Sequence, residues 1–178
     1  GINSPLTSSA GRVFDAASAL SGICLRSGFE GQAAMSLEFA AGKYHDDRPA
    51  RPYDIDVRHA GGIYEADISF LRDVFEEARA GVPAADTARR FHDTMVEIIV
   101  RLCHMMEEKK VALSGGCFQN RRLTEAAVKR LSEEGFHPYC HQRVPPNDGG
   151  ISLGQVCAAR GKMFRERAEE NERKAGCV

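Results

Sequence analysis

The spacing of apolar residues along the chain predicts a helix-rich protein. Apolar positions recur every three or four residues through much of the sequence, which is the period of an amphipathic helix. The predicted helices cover residues 10–22, 30–43, 70–80, 83–108, 120–134 and 150–173. The candidate core positions on these helices are Val13, Phe14, Ala17, Leu20, Met35, Leu37, Phe39, Ala40, Phe91, Met95, Ile98, Leu102 and Met105.

Four short segments show strand patterns instead. Apolar and polar residues alternate over 53–57 and 63–68, and the Gly61–Gly62 pair between them predicts a β-hairpin. Two apolar runs, 111–113 and 136–139, flank the helix at 120–134, so we expect them to pair in parallel through a right-handed crossover. The predicted fold class is α/β, helix-rich, with a small parallel sheet. We expect one domain over 1–178, whose residues 165–178 form an exposed tail.

The first of two loops with candidate chemistry follows the strand at 111–113. Gly115 and Gly116 lie in the short turn after this strand, and Asn120 opens the next helix. Glycines allow a ligand to approach the backbone, and a helix N-terminus presents N–H groups to a phosphate or to the sugar edge of a nucleotide. These three residues are therefore predicted to lie around a nucleotide.

The second loop, residues 144–150, holds Asp148 between a proline pair and a helix start. An aspartate in this position commonly caps the helix or stabilises a turn. A carboxylate is also a hard oxygen ligand, so the pattern leaves open a role in binding a divalent metal.

Several polar residues near helix starts have a simple structural explanation. The hydroxyls of Ser8 and Ser9 are predicted N-caps, with Gly11 in the first turn of the first helix. Glu30 and Gly31 lie at the start of the second helix, where an acidic side chain favours the helix dipole.

Histidines and cysteines do not form a recognisable metal or redox motif. His92 and His104 are twelve positions apart on the long helix, so we expect solvated or helix-capping side chains rather than a shared metal ion. The six cysteines contain no CxxC pair, which favours reduced thiols. Cys117 is interpreted as a small turn residue rather than as an activated thiolate.

The composition argues against two classes of partner. The 24 basic and 25 acidic residues leave a net charge of -1 without a strongly basic stretch, which disfavours electrostatic binding of nucleic acid. No apolar run has the length of a membrane span and no charged-then-apolar leader opens the chain, so we expect a cytoplasmic protein.

Five motifs together resemble one known family. They are SPLTSSAGRVFDA at 4–16, FEGQAAMSLE at 29–38, FHDT at 91–94, VALSGGCFQNRRLTE at 111–125 and HQRVPPNDGGISLGQ at 141–155. In this order they resemble the C-terminal part of the hydrogenase maturation carbamoyltransferase, the HypF family. The resembling domain is similar to the tRNA threonylcarbamoyl-transfer proteins of the actin-like ATPase superfamily. The resemblance implies a partial lobe of that ribonuclease-H-like fold.

The family resemblance also implies roles for the candidate residues. The turn with Ser8 and Gly11 would approach the nucleotide, and Glu30 with Gly31 would border its ribose. Asp148 would bind a divalent metal, zinc or iron, together with two histidines of an HHxxH motif. This chain contains no such motif, so we expect the isolated chain to be inactive.

The implied activity is carbamoyl transfer. In the family, ATP and carbamoyl phosphate yield a carbamoyl-adenylate in a neighbouring domain. The domain resembled here passes the carbamoyl group to the C-terminal cysteine of a partner protein in nickel-iron hydrogenase maturation. Two alternatives stay open at this point: a nucleotide-binding or assembly module without turnover, and a relative of the tRNA-modifying proteins.

Overall fold

The computed structural model describes residues 5–42, 50–106 and 108–175. The helices are α1 Ala10–Leu20, α2 Gln32–Gly42, α3 Leu71–Arg79, α4 Ala84–His104, α5 Arg121–Glu133 and α6 Ile151–Ala175. The strands are β1 Val57–Ala60, β2 Ile63–Ala66, β3 Lys110–Leu113 and β4 His137–Cys140. Two 3₁₀ turns, Gly116–Gln119 and Asp148–Gly150, precede α5 and α6. The predicted helix end at Lys43 and the last residues of the predicted tail lie outside the described residues.

The predicted parallel sheet is confirmed. β3 and β4 pair in parallel, with Lys110 opposite His137 and Leu113 opposite Cys140. The connection between them is α5, as expected for parallel neighbours, which need a crossover rather than a tight turn. The carboxyl ends of the two strands therefore lead into the two loops with candidate chemistry.

The predicted hairpin at Gly61–Gly62 is also confirmed, but its strands are shorter than the alternating pattern. β1 and β2 are antiparallel, and both glycines have positive φ (60° and 80°), as a two-residue type I′ turn requires. Pairing begins at Val57 rather than at Tyr53. Tyr53 is instead buried against α4, where its N–H donates to Oγ1 of Thr94 at 2.9 Å.

The core surrounds α4, which packs against α1, α2, α3 and α5. Phe91, Met95 and Ile98 are buried, as predicted, and Phe14 of α1 meets Phe91 edge to face with ring centroids 4.9 Å apart. Met105 is 37% exposed because α4 ends at His104, four residues earlier than predicted, before the chain enters β3.

Helix α2 corrects part of the predicted core. Its buried residues are Ala33, Leu37 and Ala41, which recur every four positions along one stripe. Met35 and Phe39 lie off this stripe and are 45% and 67% exposed. They are apolar, but only one face of the helix meets α4 and α1, so the predicted burial of these two residues is wrong.

The predicted hydroxyl cap of α1 is absent. Ser9 occupies the N-cap position with extended backbone angles, yet its side chain makes no capping hydrogen bond. Its carbonyl oxygen accepts the N–H of Arg12 at 3.1 Å, so the backbone alone closes the first turn.

His92 is buried rather than solvated, which corrects the sequence interpretation. Its relative exposure is 0%, and its ring lies edge-on to Phe14 with centroids 5.6 Å apart. Nδ1 lies 2.7 Å from the carbonyl oxygen of Ala88, one turn earlier on α4. That local partner lets a polar ring occupy the buried face of the helix. Burial, with a smaller contribution from the charge of Arg122, lowers the pKa of His92 from 6.5 to about 4.

The loop before α6 is tied to the loop after β3. The N–H of Gly115 donates to the carbonyl oxygen of Pro146 at 2.8 Å. A Cβ at Gly150 would lie 2.9 Å from the carbonyl oxygen of Pro145, so the turn needs a glycine there.

Beyond the turn, α6 exposes the apolar residues Ile151, Leu153 and Val156. In the described part of the chain, no helix combines the length and the hydropathy needed to cross a membrane.

The burial of His92 predicts a pH dependence of stability. Because its pKa is lower in the folded chain than in the unfolded one, protonation favours unfolding once the pH falls below about 6.5. The free energy of unfolding should fall by up to about 1.4 kcal/mol per pH unit, or about 3 kcal/mol in all, as the pH approaches 4. Urea denaturation at each pH measures this free energy of unfolding. The His92→Gln variant has no titrating group at this position, so the difference between its pH dependence of unfolding free energy and that of the wild-type chain gives the contribution of His92. The same pH dependence in both proteins would contradict the prediction.

The close contacts at Gly150 predict that Gly150→Ala is destabilising. The added methyl group meets the Pro145 carbonyl and Cγ1 of Val144, and such overpacking costs about 1–3 kcal/mol. Gly154→Ala in α6 is the matched control, because a Cβ there has no heavy atom within 4 Å among the described residues. The control should gain roughly 0.5–1 kcal/mol in helix stability. Thermal melting of both variants compares them, and equal melting temperatures would show that the turn tolerates a side chain.

Candidate functional site

The N-terminus of α5 is closed by two side chains. Oδ1 of Asn120 accepts the N–H of Leu123 at 2.8 Å. Oε1 of Glu38, which comes from α2, accepts the N–H groups of Arg121 at 2.8 Å and Arg122 at 3.3 Å. The first three N–H groups of the helix therefore have protein acceptors. Contrary to the expectation from the loop pattern, they do not point freely at a phosphate.

The side chain of Asn120 is engaged at both ends. While Oδ1 caps α5, Nδ2 lies 3.0 Å from Nε2 of His92 on α4. Asn120 is only 8% exposed, so both contacts are made in a largely desolvated environment. This residue joins α4, α5 and the 3₁₀ turn Gly116–Gln119 at one point.

A cleft of about 310 Å³ opens between α2 and this 3₁₀ turn. Four residues predicted to lie near a nucleotide line it: Glu30, Gly31, Gly116 and Asn120. They come from two motifs that are about 85 positions apart in the sequence, and α2 packing across α4 brings them together. The volume is at the lower end of the range of about 300–1,000 Å³ typical of small-molecule sites.

The walls of the cleft are partly apolar and partly acidic. The exposed side chains Met35 and Phe39 supply the apolar part. Glu30 and Glu38 supply two carboxylates, which accept hydrogen bonds but cannot donate them. The combination suits a ligand with an apolar face and several hydroxyl or amino groups.

A second cleft, of about 300 Å³, meets the first at Glu30 and Gly31. Arg12 and Asp15 of α1 line its other side, and their side chains form an ion pair at 2.8 Å. The second cleft therefore brings a guanidinium group, paired with a carboxylate, near the end of the acidic cleft.

The other predicted residues lie outside the walls of both clefts in the part of the chain that the structure describes. Ser8 is exposed just before α1, and Gly11 is the residue before Arg12 in the first turn. Gly115 adjoins Gly116 and has a φ of 102°, which explains the need for glycine. Asp148 is exposed at the start of its 3₁₀ turn, two residues after the carbonyl that accepts the Gly115 N–H.

In the described part of the chain, Asp148 does not belong to a group of potential metal ligands large enough to hold an ion. Among residues 5–42, 50–106 and 108–175, no group of three His, Cys, Asp or Glu side chains is arranged to hold a metal ion. A divalent ion such as zinc or iron needs about four to six ligands in all. A single exposed carboxylate does not fit this requirement, so the described part of the chain does not form a metal site by itself.

Cys117 lies in the wall of the cleft but is not an activated thiol. Burial raises the pKa of Cys117, and the nearby carboxylate of Asp15 raises it further. The free thiols of the described residues are Cys24, Cys103, Cys117, Cys140 and Cys157; Cys177 lies outside them. These observations agree with the interpretation of Cys117 as a small turn residue.

Sequence reasoning missed Glu38, Arg12 and the apolar pair of the cleft. Met35 and Phe39 are four positions apart and offset from the Ala33, Leu37 and Ala41 stripe, which is a signal for a second apolar face on α2. No local pattern marks Glu38 as a cap for a helix that begins more than eighty residues later.

Comparison with known proteins gives consistent matches over the chain. Residues 1–155 match a family profile described as carbamoyltransferase, Kae1-like domain, second subdomain. Carbamoyltransferase HypF of Rhizobium leguminosarum bv. viciae is 38% identical over 176 residues, which are 94% of this chain and 22% of that protein. Carbamoyltransferase HypF of Rhodobacter capsulatus is 37% identical over 168 residues, which are 92% of this chain and 21% of that protein.

A solved structure agrees with these matches. A crystal structure of full-length HypF in a phosphate- and nucleotide-bound form superimposes with a TM-score of 0.79 at 36% identity. The match covers 87% of this chain and 20% of that one, so the chain spans about a fifth of the length of its relatives. The chain belongs to the HypF family of carbamoyltransferases and corresponds to the C-terminal, Kae1-like part of its members.

Proposed function

We propose that this chain is the nucleotide-binding C-terminal portion of a cytoplasmic carbamoyltransferase. In this proposal, the carbamoyl group passes from carbamoyl-adenylate to the C-terminal cysteine of a partner protein in nickel-iron hydrogenase maturation. ATP and carbamoyl phosphate supply the adenylate elsewhere in the full-length enzyme. The observation that carries the proposal is the cleft in which Glu30, Gly31, Gly116 and Asn120 meet. A nucleotide-bound crystal structure of a HypF relative supports it.

The chemistry of the cleft favours the nucleoside part of the adenylate. The carboxylates of Glu30 and Glu38 are acceptors for the ribose hydroxyls, and the exposed surfaces of Met35 and Phe39 suit a purine face. The N–H groups at the start of α5 already have acceptors, so the phosphate would lie away from this helix. Arg12, which follows Gly11 in the sequence, is a nearby cation: it lines the adjoining cleft, where it is paired with Asp15.

The attacking thiolate belongs to the partner protein in this proposal. Burial raises the pKa of Cys117, so the thiol in the cleft wall is poorly suited to attack. The partner's cysteine sulfur would attack the carbamoyl carbon and form a C–S bond. The bond from that carbon to the AMP oxygen would break, and AMP would leave with the electron pair. The chain's own residues hold and orient the adenylate in this step.

Asp148 is proposed as one ligand of a zinc or iron ion in a longer protein. The loop that carries Asp148 is tied to the glycine loop of the cleft through the Gly115 to Pro146 hydrogen bond. The remaining ligands would come from a histidine motif outside this chain, because the described residues contain no group of three His, Cys, Asp or Glu side chains that could hold a metal ion.

Ribose recognition by Glu30 predicts a sugar-dependent loss of affinity on mutation. Hydrogen bonds to a charged acceptor contribute about 1.5–3 kcal/mol, so Glu30→Gln should weaken AMP binding by about tenfold or more. Isothermal titration calorimetry should also show that the wild-type chain prefers AMP to 2′,3′-dideoxy-AMP and that Glu30→Gln narrows this preference.

The matched control for Glu30→Gln is Glu65→Gln, which removes the same charge from the exposed face of β2. The control should bind AMP like the wild-type chain. An unaltered AMP affinity in Glu30→Gln, or equal losses in both variants, would exclude a ribose contact at Glu30.

A metal role for Asp148 predicts separate effects on stability and on metal retention. Asp148 is exposed, so Asp148→Asn should change the stability of this chain by less than about 0.5 kcal/mol. In a chain extended upstream to include an HHxxH motif, the same change should abolish both zinc or iron retention and carbamoyl transfer. Metal analysis and a transfer assay measure these outcomes. Stoichiometric metal retained by the Asp148→Asn protein would show that this carboxylate is not a ligand.

A further inference from the structure

The FHDT segment of α4 is a motif whose function the nucleotide cleft does not explain. Its four consecutive side chains face different parts of the fold: Phe91 packs in the core, Asp93 accepts the N–H of Ala50 at 2.6 Å, and Thr94 accepts the N–H of Tyr53. His92 contacts Asn120, the residue that ends the 3₁₀ turn of the cleft and caps α5. His92 is the member of this segment whose side chain lies within hydrogen-bond distance of a residue that lines the cleft, Asn120.

Backbone groups at both ends determine the hydrogen-bond directions between His92 and Asn120. The carbonyl oxygen of Ala88 can only accept, so Nδ1 of His92 carries the hydrogen and Nε2 is an acceptor. The N–H of Leu123 can only donate, so the oxygen of Asn120 faces it and the amide nitrogen faces His92. The 3.0 Å contact is therefore an N–H donated from Nδ2 of Asn120 to neutral His92. One tautomer and one amide orientation satisfy all three contacts.

We propose that His92 is a positioning residue of the nucleotide site, holding Asn120 and through it the 3₁₀ turn Gly116–Gln119 in the cleft. The inference rests on the proposed nucleotide site and adds a residue that does not touch the ligand. Since Asn120 is nearly buried, loss of the His92 acceptor leaves its amide N–H without a partner or with water drawn into the core. Rotation of the amide to find another partner would release the cap on Leu123 and shift the wall of the cleft.

Neutrality of the ring is part of this arrangement. A protonated His92 would carry hydrogens on both nitrogens and could no longer accept from Asn120. Burial keeps the ring neutral, and the charged group that acts on it from α5, Arg122, opposes protonation as well. On its other sides the ring meets Phe14 of α1 and the Ala88 carbonyl of its own helix.

The test compares three variants of this chain. His92→Leu removes the acceptor, and His92→Gln supplies an amide oxygen in its place without a titrating ring. Thr94→Val is the matched control, because it removes an equally buried polar group from the same helix, one that faces Tyr53 instead of Asn120. AMP binding by calorimetry and amide hydrogen exchange at Leu123 are measured for each, with melting temperatures for comparison.

In His92→Leu, we expect AMP affinity to fall about tenfold and exchange at Leu123 to accelerate by roughly tenfold or more. His92→Gln should restore the AMP affinity and the exchange rate at Leu123 to within about twofold of their wild-type values. Thr94→Val should lower the melting temperature while leaving both of these quantities within about twofold of wild type. Two outcomes would show that His92 acts only as a buried core residue. One is an equal loss of AMP affinity and of exchange protection at Leu123 in His92→Leu and Thr94→Val, and the other is failure of His92→Gln to restore them.

The two measurements separate this inference from the proposed function. If the wild-type chain binds no AMP, the nucleotide proposal fails. Exchange at Leu123 still decides whether His92 holds Asn120. Unchanged exchange in His92→Leu overturns the positioning role whatever the outcome of calorimetry.

Discussion

The candidate site depends on one constraint: the first N–H groups of α5 have no acceptor within the helix and need one from elsewhere. A helix that begins directly after a glycine turn leaves its first N–H groups without intrahelical acceptors, and this is most costly at Leu123, which is buried. Asn120 and Glu38 supply the acceptors, one from the turn itself and one from α2. Both side chains also line the cleft, so the groups that satisfy the helix shape the place where a ligand would bind.

This use of the helix terminus changes which part of a nucleotide the cleft suits. A free N-terminus favours an anion, but a terminus already facing a carboxylate has its partial positive charge compensated. The cleft is left with the carboxylates of Glu30 and Glu38 and an apolar wall, while the cation Arg12 lies across the shared residues Glu30 and Gly31. The surface therefore has an acidic part suited to hydroxyl groups and a neighbouring part in which the guanidinium of Arg12 is paired with Asp15.

The sequence predicted the order of elements and the position of the loops more successfully than the roles of individual side chains. The parallel pair β3 and β4, the crossover helix α5 and the Gly61–Gly62 hairpin are confirmed, because each depends on local period and turn chemistry. His92 was expected to be solvated or to cap a helix and is buried, whereas Met35 and Phe39 were expected in the core and are exposed. The polarity of a side chain predicts whether it is buried or exposed only when it is known which faces of its helix pack against neighbouring elements.

Local information in the sequence determined the helices and strands, the glycine turns with positive φ and the motifs that indicate the HypF family. Tertiary structure decided which of these pieces meet. The capping of α5 by Glu38 joins residues 83 positions apart, and the contact of His92 with Asn120 joins residues 28 apart. Such contacts follow from the packing of α2 and α5 against α4, and the side chains involved have no local preference that would reveal their partners. The physical reason is that the acceptors for the N–H groups at a helix end can come from any part of the surrounding fold rather than from adjacent residues.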